Sequence, residues 1–170
     1  NAGFGIFGEF VEVDLDREIE LINTNVTAVH ILTKLFLQKF LSEDKGRIIN
    51  VASSAGFLAG PLMASYYASK NYVVRLTQAI YEELRRKKSN VHISCFCPGP
   101  VKTDFNNVAG VRFAIKGIDS TYASRYCIDK AFKNKMIIMP SFTMKCANFL
   151  MRFVPHKMLT RINYNIQKKK

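Results

Sequence analysis

The stretch "SYYASK" at residues 65–70 sets Tyr66 four positions before Lys70. On a helix that spacing puts both side chains on one face, where an ammonium near a phenol eases the loss of its proton. A free phenol, with a pKa of about 10, is a poor acid or base near neutrality, and a neighbouring positive charge makes it a useful one. Tyr67 has no lysine four residues on, which leaves Tyr66 as the candidate. Helices offer such pairs by chance, so the reading depends on partners. Ser53 stands thirteen residues before Tyr66, just after the apolar run "RIINVA", and "PGPVKTD" follows a second run, "HISCFC".

The elements that must bring these groups together alternate in period. "DLDREIELINTN", with acids suited to a helix N-terminus, continues into "VTAVHILTKLFLQKFLSEDKG" and predicts a helix that stops at "SEDKG". "GRIINVAS" is short, β-branched and bounded by glycine and serine, as a buried parallel strand should be. A helix over 65–88 follows, then "VHISCFCPG" as a second strand, a helix over 121–133, and "KMIIMPS" as a last strand. Helix and strand alternating over short links predict an α/β, doubly wound parallel sheet covered on both faces. Ligands in such sheets sit beyond the carboxyl ends of the strands, where Ser53 and Pro98 fall.

Composition fits one globular domain: 170 residues, 48% hydrophobic and 22% charged. No apolar run approaches the roughly 20 residues of a membrane-spanning helix, and "NAGFGIFGEF" lacks the basic and apolar regions of a signal peptide. Cys95, Cys97, Cys127 and Cys146 follow neither a zinc spacing nor a disulfide framework, so reduced, buried thiols are expected. His30, His92 and His156 are isolated, and no metal site is expected. Charge is uneven. Residues 1–120 carry 14 Lys+Arg against 12 Asp+Glu, whereas residues 121–170 carry 11 against the single Asp129. That asymmetry points to an anionic partner or to a solvated basic face. No nucleic-acid-binding motif accompanies it, and no nucleic-acid partner is expected.

Five motifs in order, "NAG" at residues 1–3, "NTNV" with Asn25, the "SSAG" serine Ser53, "YYASK" and "PGPVKT", resemble the short-chain dehydrogenase/reductase family over about residues 1–105. The resemblance implies a Rossmann-like fold and an NAD(P)-dependent oxidoreductase that transfers hydride to an apolar ketone or from a secondary alcohol. In it, Tyr66 exchanges the proton of the carbonyl oxygen, Ser53 hydrogen-bonds the same oxygen, Lys70 lowers the pKa of Tyr66 and bonds the nicotinamide ribose, and Asn25 holds a water for proton relay. Asn25 has a structural alternative, since a helical asparagine can simply bond locally. Asn1, Ala2 and Gly3 match the segment near the adenine ribose, with Gly3 permitting close approach. Tyr66, Lys70, Pro98, Gly99, Val101 and Thr103 match the nicotinamide side of the cleft, with Thr103 at the carboxamide.

The family's opening strand and glycine-rich turn do not occur in these 170 residues, so the resemblance implies the C-terminal two-thirds of a member. Residues 1–140 would be the C-terminal part of the nucleotide-binding domain, and 141–170 a basic amphipathic helical extension like those of 3-ketoacyl and 17β-hydroxysteroid dehydrogenase-type reductases. NADP(H) is expected in preference to NAD(H). The substrate-covering segment offers Phe105, Val108, Val111, Phe113 and Ile115, which suits an apolar carbonyl substrate. The basic tail could lie on an anionic membrane, pack over the cleft or support a homodimer of an otherwise cytoplasmic enzyme. The alternative readings are an inactive fragment or nucleotide-binding regulator of the same fold, and a membrane-surface binding module.

Overall fold

Asp14 starts the first helix by accepting a hydrogen bond from the Arg17 N–H at 3.0 Å, with Asp16 and Glu18 in the first turn where the helix dipole favours acids. The computed structural model describes residues 3–103, 105, 109–110 and 117–168. Helix α1 (Leu15–Ile22) runs into a π turn (Asn23–Thr27) and on into α2 (Ala28–Ser42). The predicted single helix is therefore one rod with a widened turn at "NTNVT", a feature apolar periodicity does not register. The rod ends at Asp44, which has a positive φ of 44°, and the Lys45 N–H returns to the Phe40 carbonyl at 3.0 Å. Gly46 follows because a Cβ there would lie 2.2 Å from the Phe40 ring.

Strands β1 (Gly46–Val51), β2 (Val91–Phe96) and β3 (Ile137–Ile138) form a parallel sheet in that order, with Gly46 opposite Val91, Val51 opposite Phe96 and Cys95 opposite Ile137. Helix α3 (Ala64–Arg86) connects β1 to β2, and α4 (Ser120–Phe132), capped by Asp119, leads to β3. The last strand is shorter than "KMIIMPS" predicts. Beyond it come α5 (Phe142–Leu150), a 3-10 turn (Met151–Phe153) and α6 (His156–Gln167).

Strand alternation sorts the core into two faces. Cys95 and Cys97 pack with Val73, Val74 and Val29 on the α2/α3 side, while Phe96, Ile49 and Val51 pack with Ala123, Cys127 and Ala131 of α4. Polar bonds tie the α2/α3 side together. The Asn50 side chain accepts from the Thr33 hydroxyl at 3.1 Å and donates to the Thr77 hydroxyl at 3.0 Å, all three being buried. Thus α2, β1 and α3 are fixed in register, and the carboxyl end of β1 faces the first turns of α3. Among the described residues no helix is long and apolar enough to cross a membrane.

Candidate active site

Tyr66 and Lys70 are both buried on α3, at 8% and 7% exposure. The Lys70 ammonium donates to the carbonyl of Val51, the last residue of β1, at 3.3 Å, and lies 5.8 Å from the centre of the Tyr66 ring. Ser53 stands two residues past β1 as the cap of the 3-10 turn Ser54–Phe57. Its Oγ accepts from the Ala55 N–H at 3.2 Å and donates to the Pro98 carbonyl at 3.4 Å. Its side chain is near enough to the Tyr66 phenol to favour the ionised form. The structure thus brings Ser53, Tyr66 and Lys70 together.

Burial pushes the Tyr66 phenol up to about 12, with the Ser53 side chain opposing the rise and Tyr67 adding to it. Burial likewise pushes the Lys70 ammonium down, against the pull of the Cys95 and Cys97 thiols beneath it. The sequence predicts a phenol made more acidic by the lysine. The structure instead holds it neutral, because desolvation by burial is the largest influence on the phenol.

Asn25 is fully buried in the π turn. Its Oδ1 accepts from the Phe4 N–H at 3.1 Å, and its Nδ2 donates to the Phe4 carbonyl at 2.9 Å and to the Ser69 hydroxyl at 3.1 Å. The amide is therefore engaged with protein on both sides, and any water held at this position would bond the main chain. Gly3 is needed here for a reason the motif does not show: a Cβ would lie 3.0 Å from Asn25 Oδ1 and 3.3 Å from Lys70 Nζ. Asn1 and Ala2 lie outside the described residues.

The second strand-end loop is tied to the first. The Pro98 carbonyl accepts from the Ser54 N–H at 2.8 Å as well as from Ser53. A Cβ on Gly99 would meet Met144 of α5 at 3.0 Å. Val101 turns its side chain into the α4-side core and pairs with Ile118, so that only its backbone is left to face a ligand. Thr103 is exposed, and its hydroxyl accepts from the Phe105 N–H at 3.4 Å.

Phe4, Ile6, Phe7, Leu58 and Met63 belong to the apolar cluster that includes Tyr66 and Tyr67, an apolar wall in which the Phe105 ring sits 5.3 Å from the Tyr66 ring. Val108, Val111, Phe113 and Ile115 lie outside the described residues. Several contributors escape a motif reading. Ser69 links the Tyr66 carbonyl, at 2.7 Å, to Asn25, and its place inside "YYASK" is the one available signal. Phe4 contributes only backbone, which no residue pattern announces. Tyr67 accepts a hydrogen bond from Gln167 of α6, a partner 100 residues away.

A nicotinamide nucleotide fits the groups present. Lys70 offers a buried ammonium with three donor hydrogens and a described acceptor in Val51 alone, the arrangement a sugar hydroxyl pair would complete. Gly3 leaves open the approach to that ammonium.

Comparison with known proteins agrees with the arrangement. Residues 1–110 match the family described as short chain dehydrogenase. The chain belongs to that family. Ketoacyl reductase HetN of Nostoc is 34% identical over 139 residues, which are 79% of this chain and 47% of that protein. The very-long-chain 3-oxoacyl-CoA reductase of Anas platyrhynchos is 29% identical over 157 residues, 84% of this chain and 49% of that one. This short-chain dehydrogenase chain thus spans about half the length of these curated relatives. Among solved structures, a Burkholderia phymatum short-chain dehydrogenase/reductase in complex with NAD superposes with TM-score 0.78 at 23% identity, covering 88% of this chain and 62% of that one. A Sphingobium yanoikuyae short-chain dehydrogenase in complex with NADPH gives 0.76 at 21%, covering 91% and 64%. At these identities the structures establish the shared fold, the Rossmann-like parallel sheet with helices on both faces.

Proposed function

We propose that the chain carries the catalytic half of a carbonyl reductase that acts on an apolar ketone and uses NADP(H) in preference to NAD(H). The observation that carries this reading is the convergence of Ser53, at the end of β1, with the buried Tyr66 and Lys70 of α3, whose ammonium reaches the last carbonyl of β1. Held neutral, Tyr66 is a proton donor waiting for an acceptor, which favours the reductive direction. The substrate oxygen would sit between the two hydroxyls, so that Ser53 stabilises its developing charge while Tyr66 supplies the proton. When bound, the nicotinamide nucleotide supplies the hydride. Lys70 and the backbone of 98–101 would hold it, and the ammonium would become more acid-strengthening for Tyr66 as water leaves the cleft.

The apolar wall of Phe4, Ile6, Phe7, Leu58 and Met63 supports a substrate without charge near the reacting carbon. The names of two relatives, a ketoacyl reductase and a very-long-chain 3-oxoacyl-CoA reductase, are consistent with an acyl chain bearing a ketone. The test is NADPH oxidation by the full-length enzyme with an aliphatic 3-ketoester set against a polar ketone of the same size. Faster turnover of the ketoester, with NADPH outcompeting NADH, is expected. Equal turnover of both ketones would remove the apolar assignment, and preference for NADH would remove the cofactor assignment.

A further inference from the structure

Helix α6 meets the body of the protein through polar side chains. Asn163 and Gln167, one turn apart, are 7% and 0% exposed; Asn163 donates to the Ala59 carbonyl at 2.6 Å, and Gln167 donates to the Tyr67 hydroxyl. The adjoining stripe at i, i+4 and i+8, Met158, Ile162 and Ile166, points away from the body at 56%, 43% and 52% exposure, beside the exposed Lys157 and Arg161. The helix is thus apolar on its solvent side. At the end of α5, Phe149 and Phe153 meet edge to face at 5.5 Å yet remain 57% and 73% exposed. Two rings that pack on one another while largely exposed form an apolar projection, and such a projection, like the exposed stripe that follows it in the chain, is of the kind that binds something.

Charge selects the occupant. After Asp129 the sequence has 10 Lys+Arg and no Asp or Glu. A second copy docking this face on itself would set basic residues against basic residues, which costs free energy at every close pair. A phospholipid surface supplies both missing complements, an acyl layer for the rings and anionic headgroups for the cations. We propose that the face built from Phe149, Phe153 and the Met158, Ile162 and Ile166 stripe seats the protein on the surface of an anionic bilayer. The attachment is peripheral, with the aromatic pair entering the headgroup and acyl boundary while Lys157 and Arg161 remain at phosphate level. It is independent of the chemistry at Tyr66.

Because the chain contains no tryptophan, Phe153→Trp gives a single reporter at the tip of the face. The test adds vesicles of phosphatidylcholine alone, or of phosphatidylcholine and phosphatidylserine at three to one, to the full chain carrying this substitution. The mixed vesicles should shift its emission to the blue and, with brominated acyl chains, quench it; neutral vesicles should do neither, and high salt should reverse the change. Sedimentation of otherwise native protein with the mixed vesicles should fall about tenfold on Phe149→Ser with Phe153→Ser. Emission indifferent to anionic vesicles overturns the proposal, as does sedimentation unchanged by the double serine variant. Emission that is already blue and turns red on dilution without lipid also overturns it, since a second copy then covers the face.

Discussion

The side-chain amide of Asn25 grips the peptide of Phe4 at both ends, accepting from its N–H at 3.1 Å and donating to its carbonyl at 2.9 Å. The widened turn of the α1–α2 rod places this amide against Phe4, and the third bond, to Ser69, joins it to α3. An asparagine in a regular helix would have no reason to reach so far.

Replacing Asn25 with aspartate keeps the acceptor and removes both donated bonds in a fully buried place. A stability loss of roughly 2–4 kcal/mol is expected, read as a lower urea midpoint, because the Phe4 carbonyl and a new carboxylate would face each other. An unchanged midpoint would mean that the clamp is not structural.

Tyr66→Phe removes the proposed proton donor and little else. Carbonyl reduction by the full-length enzyme should fall by about 10²–10⁴ while nucleotide affinity is largely kept. The neighbouring Tyr67→Phe serves as the contrast. It should retain most turnover but leave the buried Gln167 amide without its partner, at a cost of roughly 1–3 kcal/mol in stability.

Alkaline titration should single out Tyr66. Its folded pKa, about 12, lies above the ordinary 10.0 of a tyrosine phenol, so the unfolded chain releases this proton first as pH rises. The contribution is fully present below the unfolded value and is lost between about 10 and about 12, where the native protein should weaken by up to roughly 3 kcal/mol. In Tyr66→Phe that part of the alkaline decline should disappear. Superimposable pH–stability curves for the two proteins would show that burial does not hold the phenol neutral.

At Gly56 a Cβ would come 2.7 Å from the Lys70 carbonyl and 2.7 Å from Val74 Cγ2. Gly56→Ala should therefore push the 3-10 turn away from α3, costing about 1–3 kcal/mol and loosening the Ser53–Tyr66 pair. Thermal melting and turnover should decline together. A loss of stability with full turnover would show that the turn can shift without moving Ser53.

The sequence made the alternation of strands and helices legible because both periods are strong: "GRIINV" and "VHISCF" are strands and the stretch around "SYYASK" is a long helix, with ends within three residues of those predicted. Ser53, Tyr66 and Lys70 could be picked out because each supplies a side chain at a characteristic spacing. What stayed hidden acts through backbone or over distance. Phe4 contributes a peptide, Ser54 an N–H, and Gln167 reaches Tyr67 across 100 residues. The raised phenol pKa was hidden for a different reason, since i, i+4 spacing reports that a charge is near but not how much water has been removed. The seating of α6 was hidden for a third: its buried contacts are made by the amides of Asn163 and Gln167, which no apolar periodicity marks.

The bonds that the Pro98 carbonyl accepts from Ser54 and Ser53 have a consequence for anyone recombining relatives. The turn after β1 and the turn after β2 are 45 residues apart in sequence, yet share one acceptor, at 2.8 and 3.4 Å. A chimera that imports residues 52–57 from another member while keeping the native 97–99 inherits a donor pair shaped for a different carbonyl position. Both turns should be exchanged as one cassette, together with Met144, whose side chain sits against Gly99 and sets how far the second turn can lift.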